Sequence, residues 1–430
     1  MSGTNEEEAD DVRHVEDHIA PVPRISVQAF CETDQTLAAV KAAGEDRRLG
    51  KAHLTAKPGG LAAAIEAYGS MPTPNVIVIE SDGTRDILEG LDDLAGVCDP
   101  GTRVVVIGNP NDTAPYRELV RRGVNDYVVG PVETIDVVRS ICSLFSASEA
   151  MITGRVIAVV GAKGGVGAST VAHNLAWTIA RDLALDSVVI DLDLAFGTAG
   201  LDYNQDPVQG IANAVLSQER PDTALMERLL AKCTDHLSLL AAPAALDRVY
   251  DFGAEAFDAI FDTLRMTTPC IVLDVPHQWS GWTRRALIGA DDILIVAEPD
   301  LANLRNTKNM LNVLKAARPN DRPPLYLVNR TGMPKRQEIE VKAFAKTMES
   351  QPIAAIPFDS KLFSTAANNG QMIAEVAKNH RTSETFQDMA SRLAGRGEPR
   401  KAKRSLLGPL LKKLKAKTAR RESAPYRKVS

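Results

Sequence analysis

At 430 residues, 44% of them apolar and 24% charged, the chain is long enough for two or three domains, each with its own core. Its five scattered cysteines form no CxxC pair and have no histidine at metal-ligand spacing, which excludes a disulfide framework and a zinc module and predicts small buried thiols in a reducing compartment. The net charge of −5 hides an asymmetry: residues 396–430 carry thirteen Lys or Arg against Glu398 and Glu422, a balance of +11, so the rest of the chain stands near −16.

Residues 1–23 are acidic and end in Pro21 and Pro23, which predicts a disordered leader without an export signal. From 24 to 148, apolar runs at Ile25–Phe30, Asn75–Glu80, Arg103–Gly108 and Asp126–Val129 alternate with helical patterns, the order of a parallel α/β sheet. Tyr116 to Val132, with its Arg122-Gly123-Val124-Asn125-Asp126-Tyr127-Val128 run and Gly130-Pro131, resembles a two-component receiver domain, implying a (βα)5 fold. The phosphotransfer groups are missing: Cys31-Glu32-Thr33 follows the first strand without an acidic pair, and Glu80 takes the acceptor aspartate's place. Gly108 and Gly130 replace the receiver's Ser or Thr and its lysine, so the resemblance implies a pseudo-receiver used for docking or dimerisation.

A second, doubly wound α/β domain is predicted over 154–394, with strands at Arg155–Gly161, Ser187–Asp191, Cys270–Asp274, Asp292–Ala297 and Pro324–Asn329. The tail, 395–430, puts Leu406, Leu407, Leu410, Leu411 and Leu414 on one helical face among lysines, interrupted by Gly408 and Pro409. No uninterrupted apolar run reaches about eighteen residues, so membrane contact is expected only at the surface.

The chemistry concentrates after the strand at Arg155–Gly161. Ala162-Lys163-Gly164-Gly165-Val166-Gly167-Ala168-Ser169-Thr170 lies between a strand and a helix, where glycines let backbone N–H groups close around phosphate oxygens. Val188 to Asp193 ends in Asp191 and Asp193, paired carboxylates at a strand end, or two acidic groups capping a turn. Ile271 to Pro276 is an apolar strand ending near Asp274, followed by His277, Gln278 and Trp279, a switch region or a simple surface loop.

The loop resembles the deviant Walker A of the ParA/MinD superfamily, with Lys163 at the signature lysine. It departs at Ala162, where a glycine is usual, and at Ala168, where a lysine normally contacts the β- and γ-phosphates, so binding with slow or no turnover is expected. The resemblance implies ATP and Mg²⁺ as ligands, with Gly164, Gly165, Val166, Gly167, Ala168, Ser169 and Thr170 around the phosphates. It implies Ser169, Asp191 and Asp274 for the metal, Lys163 and Asp193 as catalytic residues, and Asn329 and Pro357 at the base. Residues 355–359 and 366–370 resemble the segment that folds over that base, although Pro357 also reads as strand-end turn chemistry.

A pseudo-receiver ahead of a lysine-deficient loop resembles the CpaE/TadZ family of Tad/Flp pilus localisation ATPases. That implies a cytoplasmic homodimer at a cell pole or the inner membrane face, recruiting pilus assembly or polar landmark proteins. The tail's leucines suit peripheral membrane contact, while a ParA-like partition protein would use the same charges on DNA phosphates. A non-hydrolysing scaffold locked by ATP is the other alternative that Ala168 raises.

Overall fold

The structure is a computed structural model describing residues 19–81, 87–108, 116–146, 154–217, 221–246 and 249–394. The basic tail, and the leader up to residue 18, lie outside the described residues. The first sheet contains β1 (Ile25–Cys31), β2 (Ala52–Pro58), β3 (Val76–Glu80), β4 (Arg103–Gly108) and β5 (Asp126–Val129). It is parallel, in the order β2-β1-β3-β4-β5. The second contains β6 (Arg155–Gly161), β7 (Ser187–Asp191), β8 (Ala231–Lys232), β9 (Leu237–Leu240), β10 (Cys270–Val275), β11 (Asp292–Ala297), β12 (Leu325–Thr331) and β13 (Ala354–Pro357). Their order is β13-β12-β11-β6-β10-β7-β9-β8, with only the β8/β9 pair antiparallel.

Every run expected as a strand coincides with one to within two residues. β2 escaped notice because it is a half-exposed edge strand whose residues never form a continuous apolar run. β8 and β9 are short, and Leu237-Ser238-Leu239-Leu240 has no periodicity that separates strand from helix. The last leader residues are packed: Ala20 and Val22 are buried, and Val22 N–H donates to the Arg48 carbonyl at 3.0 Å.

The pleat sends Val156, Ala158 and Val160 of β6 into a layer with Phe257, Leu264, Trp282 and Phe344. Ile157 and Val159 face the opposite layer, with Val171, Leu175, Ile179 and Phe386. Covering helices on both faces explain why these strands read as unbroken apolar runs. Cys31, Cys142 and Cys270 are buried and Cys98 and Cys233 half-buried, and none of the five forms a disulfide. Burial pushes Cys31 up to about 11 and Cys270 up to about 12, which suits unreactive packing groups.

Glu80, at the end of β3, is saturated by the start of the helix Asp34–Gly44. It accepts the backbone N–H groups of Glu32 and Thr33 at 2.7 and 2.8 Å and the hydroxyls of Thr33 and Thr36 at 2.7 and 2.6 Å. The carboxylate thus fills the anion-favouring helix end itself. Glu80→Ala is expected to cost roughly 2–3 kcal/mol in urea unfolding, with Glu80→Gln milder because one acceptor oxygen survives; equal stability of all three proteins would contradict this role.

An ionic lock joins the two sheets' units. Arg47 donates to Asp321 through Nε at 2.7 Å and to Asp291 through Nη1 at 3.3 Å, while Arg48 pairs with Asp46 at 3.0 Å and with Asp321. Arg318 Nε reaches Asp321 at 2.9 Å, and Arg265 Nη1 reaches Asp291 at 2.7 Å. Asn320 Nδ2 donates to Asp46 at 3.0 Å. The side chains of Arg47, Asp291 and Asp321 are 10%, 5% and 6% exposed, so the charges are held by one another rather than by bulk water. Burial opposes the Arg47 charge, but Asp291 and Asp321 outweigh it and hold the guanidinium above its ordinary value.

Candidate functional site

The central strand β6 ends at Gly161 and passes directly into the loop, and the helix Ala168–Leu183 carries the chain back. β7 and β11 lie on opposite sides of β6, so the loop opens at the carboxyl end where the winding changes direction, the usual ligand crevice of such sheets. Gly165 and Gly167 have φ of +81° and +86°, left-handed values that a β-carbon disfavours. An added Cβ at Gly164 or Gly165 meets nothing within 4 Å, so this side of the loop is open for a ligand. Gly161 is closed in: its added Cβ would lie 2.8 Å from the Lys163 carbonyl.

Neighbouring elements fix the loop. Ala162 N–H donates to the Val296 carbonyl at 2.8 Å, and Asn306 Nδ2 donates to the Ala162 carbonyl at 2.8 Å. His277 Nδ1 lies 2.9 Å from the Gly161 carbonyl, which gives the segment after β10 direct contact with the loop, whereas Trp279 is 52% exposed. Lys163 is exposed, with Nζ 3.9 Å from Asp300 Oδ2. Burial pushes the Asp300 carboxyl up, but hydrogen bonds from Asn303 and the Lys163 charge hold it below the usual carboxylate range.

Beneath the loop is an acidic pair with a histidine. Asp191 ends β7 and accepts the N–H groups of Asp193 and Ala199, both at 3.1 Å; Asp274 lies on β10 beside it. His173, on the helix after the loop and 0% exposed, puts Nδ1 2.6 Å from Asp202 and Nε2 3.2 Å from Asp274. Burial disfavours its charge, but the two carboxylates win and push it up to about 10. Burial, then the Asp274 charge, pushes Asp191 up to about 7. One ligand atom from each of His173, Asp191 and Asp274 falls within 4.8 Å of the others. The carboxylate oxygens with the half-buried Ser169 hydroxyl suit a hard divalent cation held partly through water. Asp193 stands apart, half-buried, its carboxylate accepting the Phe196 N–H at 3.1 Å.

A cavity of about 300 Å³ opens beside the loop, lined by Gly167, Thr170, Asn329, Arg330, Pro357 and Phe358 among others. It brings Asn329 and Pro357 together in one lining. Asn329 is engaged, however: its Nδ2 donates to the Val166 carbonyl at 2.8 Å and its Oδ1 accepts the Arg330 N–H at 2.9 Å. Asp359 caps the helix Ser360–Asn369, which closes the cavity's far wall. Sequence reasoning passed over His173 and Asp202. The spacing of His173, one helical turn after Ser169, was the only signal, and a core histidine gives the same one.

Residues 154–326 match a family described as an AAA domain. The septum site-determining protein MinD of Synechocystis is 26% identical over 250 residues, covering 57% of this chain and 91% of that protein. The cell division ATPase MinD of Pyrococcus furiosus shares the fold at a TM-score of 0.50 and 22% identity, over 56% of this chain and 98% of its own. A pilus assembly protein CpaE from Caulobacter crescentus is 44% identical, over 30% of this chain and 98% of its own, with a TM-score of 0.28. By its AAA-domain segment and its likeness to MinD, the chain belongs to the ParA/MinD superfamily of P-loop ATPases.

Proposed function

We propose that this protein binds Mg-ATP at the 163–170 loop, pairs with a second copy across the loop face, and acts as a localisation ATPase of the CpaE/TadZ type in Tad/Flp pilus assembly. Residues 24–148 would serve as a pseudo-receiver docking module, residues 154–394 as the ATPase and residues 395–430 as a basic membrane-facing tail. The observation that carries nucleotide binding is the open glycine loop set between the buried Asp191/Asp274 pair and the 300 Å³ cavity at Asn329 and Pro357. Bound magnesium would supply charge neutralisation at the phosphates. Ser169, Asp191 and Asp274 would hold it, and Asp193 would orient water.

Pairing is supported by Phe196, Trp279 and Leu301, which are 69%, 52% and 73% exposed and all follow strands at the carboxyl end of the sheet, where Lys163 also stands. The pilus role rests on the fusion of a receiver-like segment lacking its chemistry to a loop with Ala168. Ala168 also favours a second reading, a scaffold that ATP locks without turnover.

ATP binding, ATP hydrolysis and association state, measured together for the unaltered protein, Lys163→Ala and Asp193→Ala, test both. Magnesium-dependent turnover lost in each variant is the expected result for a working dimeric ATPase. Tight binding without turnover selects the scaffold, and absence of binding overturns the site.

A further inference from the structure

The missing loop lysine leaves a gap in positive charge, and the structure holds a cation beside it. We infer that Arg330 supplies the phosphate-facing charge that Ala168 omits, a role that rests on the nucleotide-binding reading above. Arg330 lines the cavity together with Gly167 and Thr170. From the position of an added Cβ on Gly167, next to Ala168, Arg330 Nη2 is 4.0 Å away. The same helix end presents backbone N–H groups to an anion. Lys163 is turned elsewhere, toward Asp300.

Two features prepare Arg330 for the task. Its φ of +53° is a left-handed value that a β-carbon disfavours, and Phe358 N–H on the neighbouring Thr331 carbonyl at 2.9 Å, with Asn329 on Val166, holds the chain around it. Its Nη1 donates to Glu298 at 2.8 Å, and Arg336 Nη1 donates to the other oxygen of Glu298 at 2.5 Å. Glu298 therefore keeps a counter-charge when Arg330 turns toward a phosphate. A guanidinium can grip a phosphate through two parallel N–H groups of a rigid planar fork, a geometry that the lysine ammonium lacks.

The test is calorimetric titration of the full chain with ATP, ADP and adenosine in magnesium buffer, for the unaltered protein, Arg330→Ala, Arg330→Lys and Ala168→Lys/Arg330→Ala. Arg330→Ala is expected to weaken ATP about tenfold or more while leaving adenosine unchanged, and the added lysine at 168 is expected to restore ATP affinity. Arg330→Lys should fall between, because the charge stays and the fork is lost. Unchanged adenosine affinity also verifies that the variant is folded. An equal loss for adenosine and ATP makes Arg330 a base contact and overturns the inference, as does unchanged ATP affinity. If the unaltered chain binds none of the three, the parent reading fails and this one with it.

Discussion

Asp321→Ala is expected to be among the most damaging single changes in the protein, lowering its stability by about 3–5 kcal/mol, because it strips one shared carboxylate from Arg47, Arg48 and Arg318 at once. All three guanidinia are nearly enclosed, at 10%, 7% and 3% exposure, so water cannot replace the lost partner. With each kcal/mol worth about 2–4 °C in a domain of this size, the melting temperature should fall by roughly 6–20 °C. Asp321→Asn keeps the shape and one acceptor and should fall between. The pH dependence follows from the sign of the Asp321 shift. Burial pushes its carboxyl up, but Arg47 foremost, then Arg318 and Arg48, hold it below the ordinary carboxylate value of about 3.9. Its contribution is therefore fully present above that value and lost as pH falls through the lower folded one. Thermal melts from pH 3 to 7 should show a steeper acid loss in the unaltered protein than in Asp321→Asn. Asp321→Ala within about 1 kcal/mol of the unaltered protein would mean the lock adds little.

His173→Ala is the second large effect expected, again about 3–5 kcal/mol at neutral pH. The imidazole is sealed from solvent between Asp202 and Asp274, with Tyr203 packed 5.5 Å away and its hydroxyl donating to the His173 carbonyl at 2.8 Å. Without the ring, Asp191 and Asp274 face each other across a buried gap with no counter-charge. Replacing Asp274 by Asn in the same background removes one of those charges and should recover part of the loss, a coupling that a double-mutant cycle in urea reads directly. Additive effects would show that His173 acts as a space-filler and not as the cation of the cluster.

Much of the fold was legible because buried parallel strands are long apolar runs and glycines announce the phosphate loop. Asp191 and Asp274 stood out for the same reason, as charges at the ends of such runs. The cation beside Asp274 did not, since nothing in a helix marks a histidine that faces two carboxylates, one brought in from a strand and one from another helix. The ionic lock was invisible for a related reason: Arg47 and Asp321 lie 274 positions apart, and single charged residues read as solvent-facing until the fold joins them. Asn329 was assigned to the base by resemblance, but the hydrogen bond from its amide to the Val166 carbonyl depends on how β12 meets the loop, which no spacing encodes.

The position of that lock has an architectural consequence. Asp291 immediately precedes β11, and Asp321 lies just ahead of β12, so the arginines grip the amino end of the sheet while the phosphate loop occupies the carboxyl end. Two copies meeting loop to loop would carry their amino-terminal units outward at the two extremities, like the jaws of a double-ended clamp.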